Sequence, residues 1–352
     1  MKKNCVVLGA GLIGQQFVRM LDEHPDFNLV AVVASEKSVG VTLKEKWKLP
    51  DFSVPVNFAD MLLLTMDDLQ TKLNEFNIVF SALPAEMAKT VEKDLALKGK
   101  KVFSNASAFR YEKDIPILIP EINDNQLSIV EHQDTFLNNG FIITNSNCSI
   151  SGLAIVLHSL RHSKVLFRNV FVSTYQALSG AGFEGLTNIP RDRVIPYIDK
   201  EEEKMTIESQ KILGYLNHTE IISDTSYQLL ANCARVPIEN GHLEAITIEL
   251  VNETSLDDVK NALISLNNRK IRDLPTAPEN VIIIMEENDR PQSKLDLYSE
   301  SKSRSLGMTV TVGRLRLNGK FLRFYLLVHN TIRGGAGGSI LNAELALRRG
   351  YL

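Results

Sequence analysis

The sequence of 352 residues predicts an α/β protein, in which an N-terminal doubly wound parallel sheet precedes an α+β domain with a mostly antiparallel sheet. The first observation is that short apolar strand patterns alternate with helix patterns over the first part of the chain. The second is that later strand patterns are longer and have period-two character. The third is a glycine-rich turn directly after the first strand pattern.

The N-terminal part contains five predicted strands. They are apolar rather than alternating, which is typical of parallel sheets covered on both faces. Helix patterns separate them, including an amphipathic run from Gly14 to Glu23 and a run from Met87 to Leu97 that ends at Gly99. The predicted strands are Val6–Gly9, Leu29–Ala34, Ile78–Ala82, Lys101–Ser104 and Phe141–Thr144.

Gly9, Gly11 and Gly14 form a GxGxxG turn between the first strand and the first helix. The first glycine permits the tight turn, the second lets the backbone approach a pyrophosphate, and the third lets the helix pack on the strand. In this setting the turn predicts a Rossmann-like dinucleotide-binding domain. We expect Leu12 and Ile13 to bind the cofactor together with the three glycines. A purely structural turn is the alternative.

The tip of the second strand indicates which dinucleotide binds. An NAD site often places Asp or Glu roughly 20 residues past the glycines. Here the strand ends in Ala34-Ser35, followed by Glu36, Lys37 and Ser38. A lysine and two hydroxyls suit a 2′-phosphate, so we expect NADP, bound by Ser35, Lys37 and Ser38. Glu36 leaves open a contact with a ribose hydroxyl instead.

The second half of the chain predicts an α+β domain, because longer strand patterns surround two helix-rich stretches, Glu201–Leu216 and Leu256–Leu266. A last helix pattern runs from Gly338 to Gly350. The predicted strands of this half are Val170–Gln176, His242–Val251, Val281–Met285, Met308–Arg316 and Phe321–His329.

These patterns divide the chain into two domains. We assign residues 1–147, with a C-terminal helix at 333–352, to an NADP-binding domain. Residues 148–332 form the second domain, which we expect to carry catalysis. No long linker or low-complexity tract separates the two. We therefore expect a large fixed interface with the site between the domains.

Cys148 carries the strongest chemical signal, since it follows a strand pattern and a polar turn and precedes an apolar helix pattern. Free N–H groups and the positive dipole end at a helix N-terminus favour a thiolate and can hold an oxyanion. The position predicts a nucleophile that attacks a carbonyl carbon. A buried structural cysteine is the alternative.

Composition limits the possible partners and locations. Hydrophobic residues make up 44% and charged residues 23% of the chain, and the formal charge is −3. No basic excess indicates nucleic acid or a membrane surface. No apolar run approaches the ~20 residues that span a bilayer. The first apolar run is broken by glycines too soon for a signal peptide.

The three cysteines have no close pair spacing, which disfavours disulfides and zinc sites. Their number and spacing fit a reducing cytoplasm.

His242 follows Asn240-Gly241 at the start of a strand pattern, and Arg235 stands at the other end of the same short turn. We expect His242 to be well exposed there and able to act as a general base. A solvated turn residue is the alternative interpretation of this histidine.

Two further segments suit a ligand site. A strand ending at Gln176 leads into a loop that contains Ser179-Gly180, where glycine lets backbone approach a ligand closely. Glu201 opens a helix and shares one face with Lys204, three positions later. A plain strand–loop turn and a solvated helix end are the respective alternatives.

The sequence resembles the aspartate-semialdehyde dehydrogenases of archaea and fungi over essentially its whole length. Many motifs match in order, which makes the resemblance specific. Besides the glycine turn, the matching segments are Ser104–Ala106 with Arg110, Ile119–Asn123, Thr144–Ser149, Tyr175–Gly182, Val194–Ile198, Glu201–Lys204, Cys233–Pro237 with Gly241-His242, Arg290–Gln292 with Asp296, Gly307–Arg314 and His329–Gly334.

The resemblance implies a reaction. In this family NADPH drives the reductive dephosphorylation of L-aspartyl-4-phosphate to L-aspartate 4-semialdehyde, a branch point toward lysine, threonine and methionine. It also implies a cytoplasmic homodimer or homotetramer that assembles through the second domain. No metal, nucleic acid or membrane is expected as a partner.

The resemblance also implies a role for each matching residue. Cys148 would attack the acyl phosphate, release phosphate and form a thioester, to which NADPH delivers hydride. His242 would be the acid/base partner, and Gln176 would orient the thioacyl intermediate. The remaining implied contacts are Arg235 with the α-carboxylate, Glu201 with the α-amino group, Arg110, Asn105 and Lys204 with phosphate, and Ser179, Gly180 and Asn330 with the cofactor.

Other functions remain to be weighed. An acyl-CoA reductase of the same fold, acting on malonyl- or succinyl-CoA, would use the same cysteine thioester and hydride step. Arg235 and Glu201 favour an amino-acid substrate instead, because a CoA-linked dicarboxylate has no α-ammonium group. An N-acetyl-glutamyl-phosphate reductase lacks this combination of motifs. A non-catalytic dinucleotide-sensing or structural protein of the same fold is disfavoured by the joint presence of Cys148, Gln176, Arg235 and His242.

Overall fold

A computed structural model describes residues 1–38, 40–268, 270–299 and 303–352 of the chain. It contains the two predicted sheets and a small hairpin. Within the described ranges no helix is long and apolar enough to cross a membrane.

The first sheet is parallel throughout, with the order β2-β1-β3-β4-β5. Alternate residues of β1 enter two different apolar clusters, one on each face. The prediction of a doubly wound sheet is therefore confirmed. The strands are β1 (Lys3–Leu8), β2 (Phe27–Val33), β3 (Ile78–Ser81), β4 (Lys101–Ser104) and β5 (Phe141–Thr144). The helices between them are α1 (Leu12–Leu21), α2 (Leu43–Lys46), α3 (Met66–Thr71), α4 (Ala85–Leu97) and α5 (Pro120–Asn123).

The strand order of this sheet determines where a ligand can bind. The chain passes from β1 outward to β2 and then returns to β3 on the other side of β1. The carboxyl ends of β1 and β3 thus border a crevice at the point where the order reverses. Gly9, with a φ of +102° that favours glycine, makes the tight turn at this place.

The second sheet has six strands in the order β11-β12-β13-β10-β6-β9. Its three central pairs are antiparallel and the two outer pairs are parallel, so the prediction of a mostly antiparallel sheet is confirmed. Its strands are β6 (Phe167–Gln176), β9 (Gln228–Arg235), β10 (His242–Leu250), β11 (Ile282–Met285), β12 (Val310–Asn318) and β13 (Phe321–Val328). The remaining elements are α6 (Ile150–His162), α7 (Gly182–Asn188), α8 (Glu201–Ile212), β7 (Tyr215–Asn217), β8 (Glu220–Ile222), α9 (Leu256–Ile264), α10 (Ser293–Asp296) and α11 (Gly337–Arg348).

Helix α6 connects the two sheets. It follows β5 through a short turn, and nearly all of it is buried. Its apolar side chains share one core cluster with β6, β10 and β13. A Cβ atom added at Gly152 would lie 3.1 Å from Leu326 and 3.2 Å from Val328, so the helix approaches the sheet closely there. This packing brings the turn before α6 against the ends of the second sheet.

The last helix, α11, packs in the same apolar cluster as α1 and β1, through Ile340 and Leu341 against residues such as Phe17. This packing supports the assignment of residues 333–352 to the first domain. The boundaries 1–147 and 148–332 stay a prediction.

The sequence pattern did not reveal β9, the β7–β8 hairpin or the short helices α2 and α3. Strand β9 has a mixed sequence, QLLANCAR, with incomplete alternation of burial. It is held as a strand by pairing with β6 along its whole length. The helix predicted to reach Leu216 ends at Ile212, because the chain turns there into β7.

We expect Gly14→Ala to lower the stability of the fold. A Cβ atom at this position would lie 1.7 Å from the carbonyl oxygen of Gly9. Relief of that overlap must separate α1 from β1, at a cost of about 3 kcal/mol. The measurement is the free energy of unfolding in denaturant. Gly11→Ala is the matched control, since its Cβ meets nothing within 4 Å. An unchanged value for Gly14→Ala would contradict this account of the turn.

Candidate active site

Two adjoining cavities lie at the carboxyl edge of the parallel sheet, and Gly11 and Ala82 border both. The larger, of about 930 Å³, extends over the tip of β2 and is the candidate cofactor cavity. The smaller, of about 460 Å³, lies between the domains and is the candidate reaction cavity. Their common wall at the glycine turn allows one extended ligand to pass from one cavity into the other.

The cofactor cavity is positively charged at the tip of β2. Lys37 lines it, as predicted, together with Lys46 and Lys48. The Lys46 ammonium donates to the hydroxyl of Ser38 at 3.0 Å. The predicted residues Gly9, Gly11, Ser35, Lys37 and Ser38 all line this cavity, and Glu36 does as well. A cluster of three lysines fits a phosphate group better than a ribose hydroxyl.

Sequence reasoning missed Lys46 and Lys48. The buried side chain of Gln15 on α1 holds both in place. Its amide nitrogen donates to the carbonyl oxygen of Lys46 at 3.1 Å, and its oxygen accepts from the backbone N–H of Lys48 at 2.8 Å. The sequence did contain a sign of ordered structure here. Thr42 and Glu45 form a capping box at the start of α2, and Lys46 is the last residue of that helix.

The reaction cavity brings together most of the residues predicted for chemistry. They come from both domains and from widely separated parts of the chain. The predicted residues that line it are Gly11, Leu12, Ile13, Gly14, Asn105, Arg110, Cys148, Gln176, Ser179, Gly180, Glu201, Lys204, Arg235 and Asn330.

His242 lies directly behind the nucleophile candidate. Its Nε2 atom is 3.2 Å from Sγ of Cys148, although the two residues are 94 positions apart. The prediction that His242 is well exposed is wrong, since the side chain is completely buried. Cys148 and the loop after β6 cover it, and the backbone N–H of Ala177 donates to Nδ1 at 3.1 Å. Gly180 packs so closely that an added Cβ would lie 3.2 Å from the imidazole Cε1.

The surroundings of this pair oppose a charge on either member. Burial, reinforced by the negative charge of Glu201, raises the pKa of Cys148 to about 12, although Arg235 and Arg110 oppose the shift. Burial, reinforced by the positive charge of Arg235, lowers the pKa of His242 to about 3. We expected the helix N-terminus to favour a thiolate, but the pKa of Cys148 in the free protein shifts in the opposite direction, because the loss of solvation outweighs the nearby positive charges.

Three predicted residues stand in one row across the second sheet. Gln176 pairs with Arg235 at the ends of β6 and β9, and His242 begins β10 on the other side of β6. Nη1 of Arg235 donates to the carbonyl oxygen of Ala177 at 2.8 Å, which orients the guanidinium along the cavity wall. The ends of neighbouring strands thereby present an amide and a guanidinium to the same ligand space, with the imidazole buried behind Cys148.

Glu201 is the member of the acidic triplet that faces the cavity. It is buried, and its Oε1 accepts from Gln176 Nε2 and from Asn147 Nδ2, each at 2.9 Å. Glu202 points away and accepts from the backbone N–H of Cys233. Glu203 is exposed. This arrangement supports Glu201 as the contact for an ammonium group.

Two of the candidate phosphate contacts, Asn105 and Arg110, lie on the loop after β4, and the third, Lys204, lies on α8. Nη2 of Arg110 donates to the carbonyl oxygen of Asn105 at 2.8 Å, and Nη1 donates to Glu208 at 3.0 Å. Lys204 faces the same cavity, and its ammonium donates to the carbonyl of Asp199 at 3.3 Å. Glu208 was not predicted, since nothing in the sequence distinguishes it from a solvated helix residue.

Asn330 connects the loop after β6 with the start of β10. Its Nδ2 donates to the Ser179 hydroxyl at 2.9 Å, and its Oδ1 accepts from the N–H of Gly241 at 2.9 Å. Nearby, a Cβ atom added at Gly334 would lie 2.6 Å from Cα of Cys148. The segment 330–334 therefore contacts both the loop after β6 and Cys148.

The fold and the site together define a dinucleotide-binding enzyme with a cysteine–histidine pair between its two domains. Residues 4–130 match the family model described as semialdehyde dehydrogenase, NAD binding domain. Residues 157–333 match the model described as semialdehyde dehydrogenase, dimerisation domain.

Curated relatives and a solved structure agree with these matches. The chain is 41% identical to the aspartate-semialdehyde dehydrogenase of Methanothermobacter thermautotrophicus, over 97% of this chain and 98% of that protein. It is 42% identical to that of Archaeoglobus fulgidus, over 99% of both. The Candida albicans aspartate-semialdehyde dehydrogenase, solved with NADP, superposes with a TM-score of 0.85 at 32% identity over all of both chains. The chain belongs to the aspartate-semialdehyde dehydrogenase family and is an oxidoreductase of amino-acid biosynthesis.

We expect the reactivity of Cys148 in the free protein to rise with pH without a plateau up to pH 9. Because its pKa is raised to about 12, the thiolate fraction grows about tenfold per pH unit in this range. The measurement is the rate of alkylation by iodoacetamide, located by mass spectrometry, with Cys148→Ala as the control. A plateau between pH 6 and 7 would instead indicate a resting thiolate–imidazolium pair.

Proposed function

We propose that this protein reduces L-aspartyl-4-phosphate to L-aspartate 4-semialdehyde with NADPH, through a thioester on Cys148. The observation that carries the proposal is the position of Cys148 Sγ, 3.2 Å from His242 Nε2 at the base of a cavity. The cavity has Arg235 and Glu201 on one wall and Arg110 and Lys204 near the loop after β4. A cavity with both kinds of charge suits a substrate that has a carboxylate, an ammonium group and a phosphate.

The reaction divides between these residues in two stages. In the first, Cys148 Sγ attacks the acyl carbon, its proton passes to His242, and the carbon–oxygen bond to phosphate breaks, which yields a thioester and free phosphate. In the second, NADPH, when held in the cofactor cavity, would supply the hydride that reduces the thioester carbon. His242 then returns the proton as the carbon–sulfur bond breaks and the aldehyde leaves. Gln176, held by Glu201, orients the thioacyl group.

The charges at the substrate end support an amino-acid substrate over an acyl-CoA. Arg235 offers a guanidinium fork for an α-carboxylate. Glu201, on the opposite side of Gln176, offers a carboxylate for an α-ammonium group. A malonyl or succinyl thioester of CoA has a carboxylate but no ammonium group, so it would leave the buried Glu201 without a charged partner.

The cofactor cavity supports NADP. Gly11 leaves space for a pyrophosphate, because a Cβ added there meets nothing within 4 Å. Lys37, Lys46 and Lys48 line this cavity, and Lys46 contacts the Ser38 hydroxyl, where a 2′-phosphate would carry negative charge. Ser35 and the glycine turn complete the proposed contacts on this side, and Ser179, Gly180 and Asn330 face the nicotinamide end.

We infer that the protein acts in the cytoplasm as a homodimer. Two such dimers can associate into a homotetramer. The outer face of the second sheet has large exposed apolar side chains, among them Phe171, Leu230 and Phe321. Exposed apolar patches of this kind mark protein interfaces. The match to a dimerisation domain over residues 157–333 supports the same surface.

The reverse reaction tests the proposed function. With aspartate semialdehyde and phosphate, we expect phosphate-dependent reduction of NADP⁺, followed by absorbance at the nicotinamide band. Cys148→Ala should abolish turnover while NADPH still binds, since the cofactor cavity does not include Sγ. Substantial turnover by the variant would exclude the thioester. Oxidation of NADPH by malonyl- or succinyl-CoA, without the phosphate-dependent reaction, would favour the acyl-CoA alternative.

Cofactor choice gives a separate prediction. We expect Lys46→Gln to raise the KM for NADPH by about tenfold or more, because a charge-assisted contact with the 2′-phosphate is lost. The KM for NADH, which has no 2′-phosphate, should stay unchanged. Lys44→Gln, on the exposed side of the same short helix, is the matched control. Equal effects of Lys46→Gln on both cofactors would contradict a role at the 2′-phosphate.

A further inference from the structure

We propose that Glu208 is a positioning residue, which holds the phosphate-binding Arg110 in a set place relative to the nucleophile Cys148. The inference rests on the proposed function, since it concerns how the phosphate of the acyl phosphate is held. Neither the family match nor the motifs of the sequence assign a role to Glu208.

The carboxylate of Glu208 bridges two parts of the site. The side chain is completely buried. Its Oε1 accepts from Nη1 of Arg110 at 3.0 Å, and its Oε2 accepts from the backbone N–H of Asn147 at 2.6 Å. Asn147 directly precedes Cys148. One carboxylate therefore connects the candidate phosphate contact with the turn that carries the attacking sulfur.

The ion pair with Arg110 offsets part of the cost of burying this carboxylate. Burial raises the pKa of Glu208, while the guanidinium of Arg110 and the N–H of Asn147 oppose that shift. A buried carboxylate is stable only when its oxygens are paired in this way. Both oxygens have partners here, so the pair is a specific arrangement and not a mobile surface contact.

Arg110 is held on two sides and still has donors to spare. Glu208 takes one N–H, and the carbonyl oxygen of Asn105 takes another at 2.8 Å. A guanidinium has five N–H donors in a planar fork, so three remain. Nε is buried without a partner, but Arg110 lines the reaction cavity, where its remaining Nη donors can meet a phosphate. These two contacts within the protein determine the plane of the guanidinium group before phosphate binds.

Helix α8 supports the same loop a second time. Lys211 lies three positions after Glu208, on the same face of the helix. Its ammonium donates to the carbonyl oxygens of Arg110 and Ile115, at 2.8 and 2.7 Å, and also to that of Glu112. Lys211 thus holds the backbone of the loop, whereas Glu208 holds the guanidinium. Loss of Glu208 should loosen Arg110 without releasing the loop.

The first test is Glu208→Gln, assayed in the phosphate-dependent reduction of NADP⁺. We expect the KM for phosphate to rise by about tenfold to a hundredfold, because Arg110 loses its charged partner. The KM values for aspartate semialdehyde and NADP⁺ should change by less than about twofold. Glu203→Gln, on the exposed side of the same helix, is the matched control and should leave all three constants unchanged. A uniform fall in kcat with no change in the KM for phosphate would overturn the proposal.

The second test is a double-mutant cycle with Arg110→Gln. If Glu208 acts through Arg110, then adding Glu208→Gln to Arg110→Gln should change kcat/KM for phosphate by less than about twofold. The double variant removes both members of a buried pair, which proteins tolerate better than the loss of one. This comparison therefore remains decisive even if Glu208→Gln alone does not fold. A further tenfold loss in the double variant would show that Glu208 acts independently of Arg110 and would overturn the proposal.

The wild-type protein, assayed in parallel, distinguishes a failure of the proposed function from a failure of the proposed role of Glu208. If it shows no phosphate-dependent reduction of NADP⁺, the proposed function fails and the positioning role fails with it. If the wild type is active and the cycle is additive, only the role of Glu208 is wrong.

Discussion

Two buried carboxylates on one face of α8 hold the turn between β5 and α6, and the rest of the site depends on that turn. Glu208 accepts from the backbone N–H of Asn147, and Glu201 accepts from the Asn147 side chain. The side-chain oxygen of Asn147 in turn accepts from the N–H of Ser149 at 2.8 Å. Buried carboxylates are costly unless paired, so these contacts leave the turn little freedom. Cys148, between Asn147 and Ser149, takes its position from them.

The nucleophile and its partners belong to different sheets, and close packing at glycine brings them together. Cys148 follows the last strand of the parallel sheet, whereas Gln176, Arg235 and His242 stand at the ends of strands in the second sheet. Gly334 lets the segment after β13 lie against Cys148, because any Cβ there would overlap its backbone. The site therefore exists only where the two domains are packed together, which is the place that the absence of a linker predicted.

The features that could be predicted from the sequence are those that depend on neighbouring residues in the chain. Continuous apolar strands, the glycine turn and the position of Cys148 follow from short-range rules, and Lys101–Ser104 and Phe141–Thr144 have the predicted bounds. The burial of His242 did not follow, because its cover comes from a loop 65 positions away. Glu208 is missed for the same reason, since Arg110, its partner, is 98 positions distant. Periodicity reports which face of an element is apolar, but not which polar residues meet on a buried face.

The buried pair also determines when Cys148 becomes reactive. The backbone N–H of Ala177 faces Nδ1 of His242, so an imidazolium, which is protonated on both ring nitrogens, would set this N–H against the Nδ1 proton. The pKa of Cys148 is raised and that of His242 is lowered, so charge separation in the resting pair is opposed from both sides. A hydrogen bond with the backbone of Gly241 favours the charged ring but does not overcome burial. In the proposed mechanism, Cys148 is therefore activated in the substrate complex and not in the free protein.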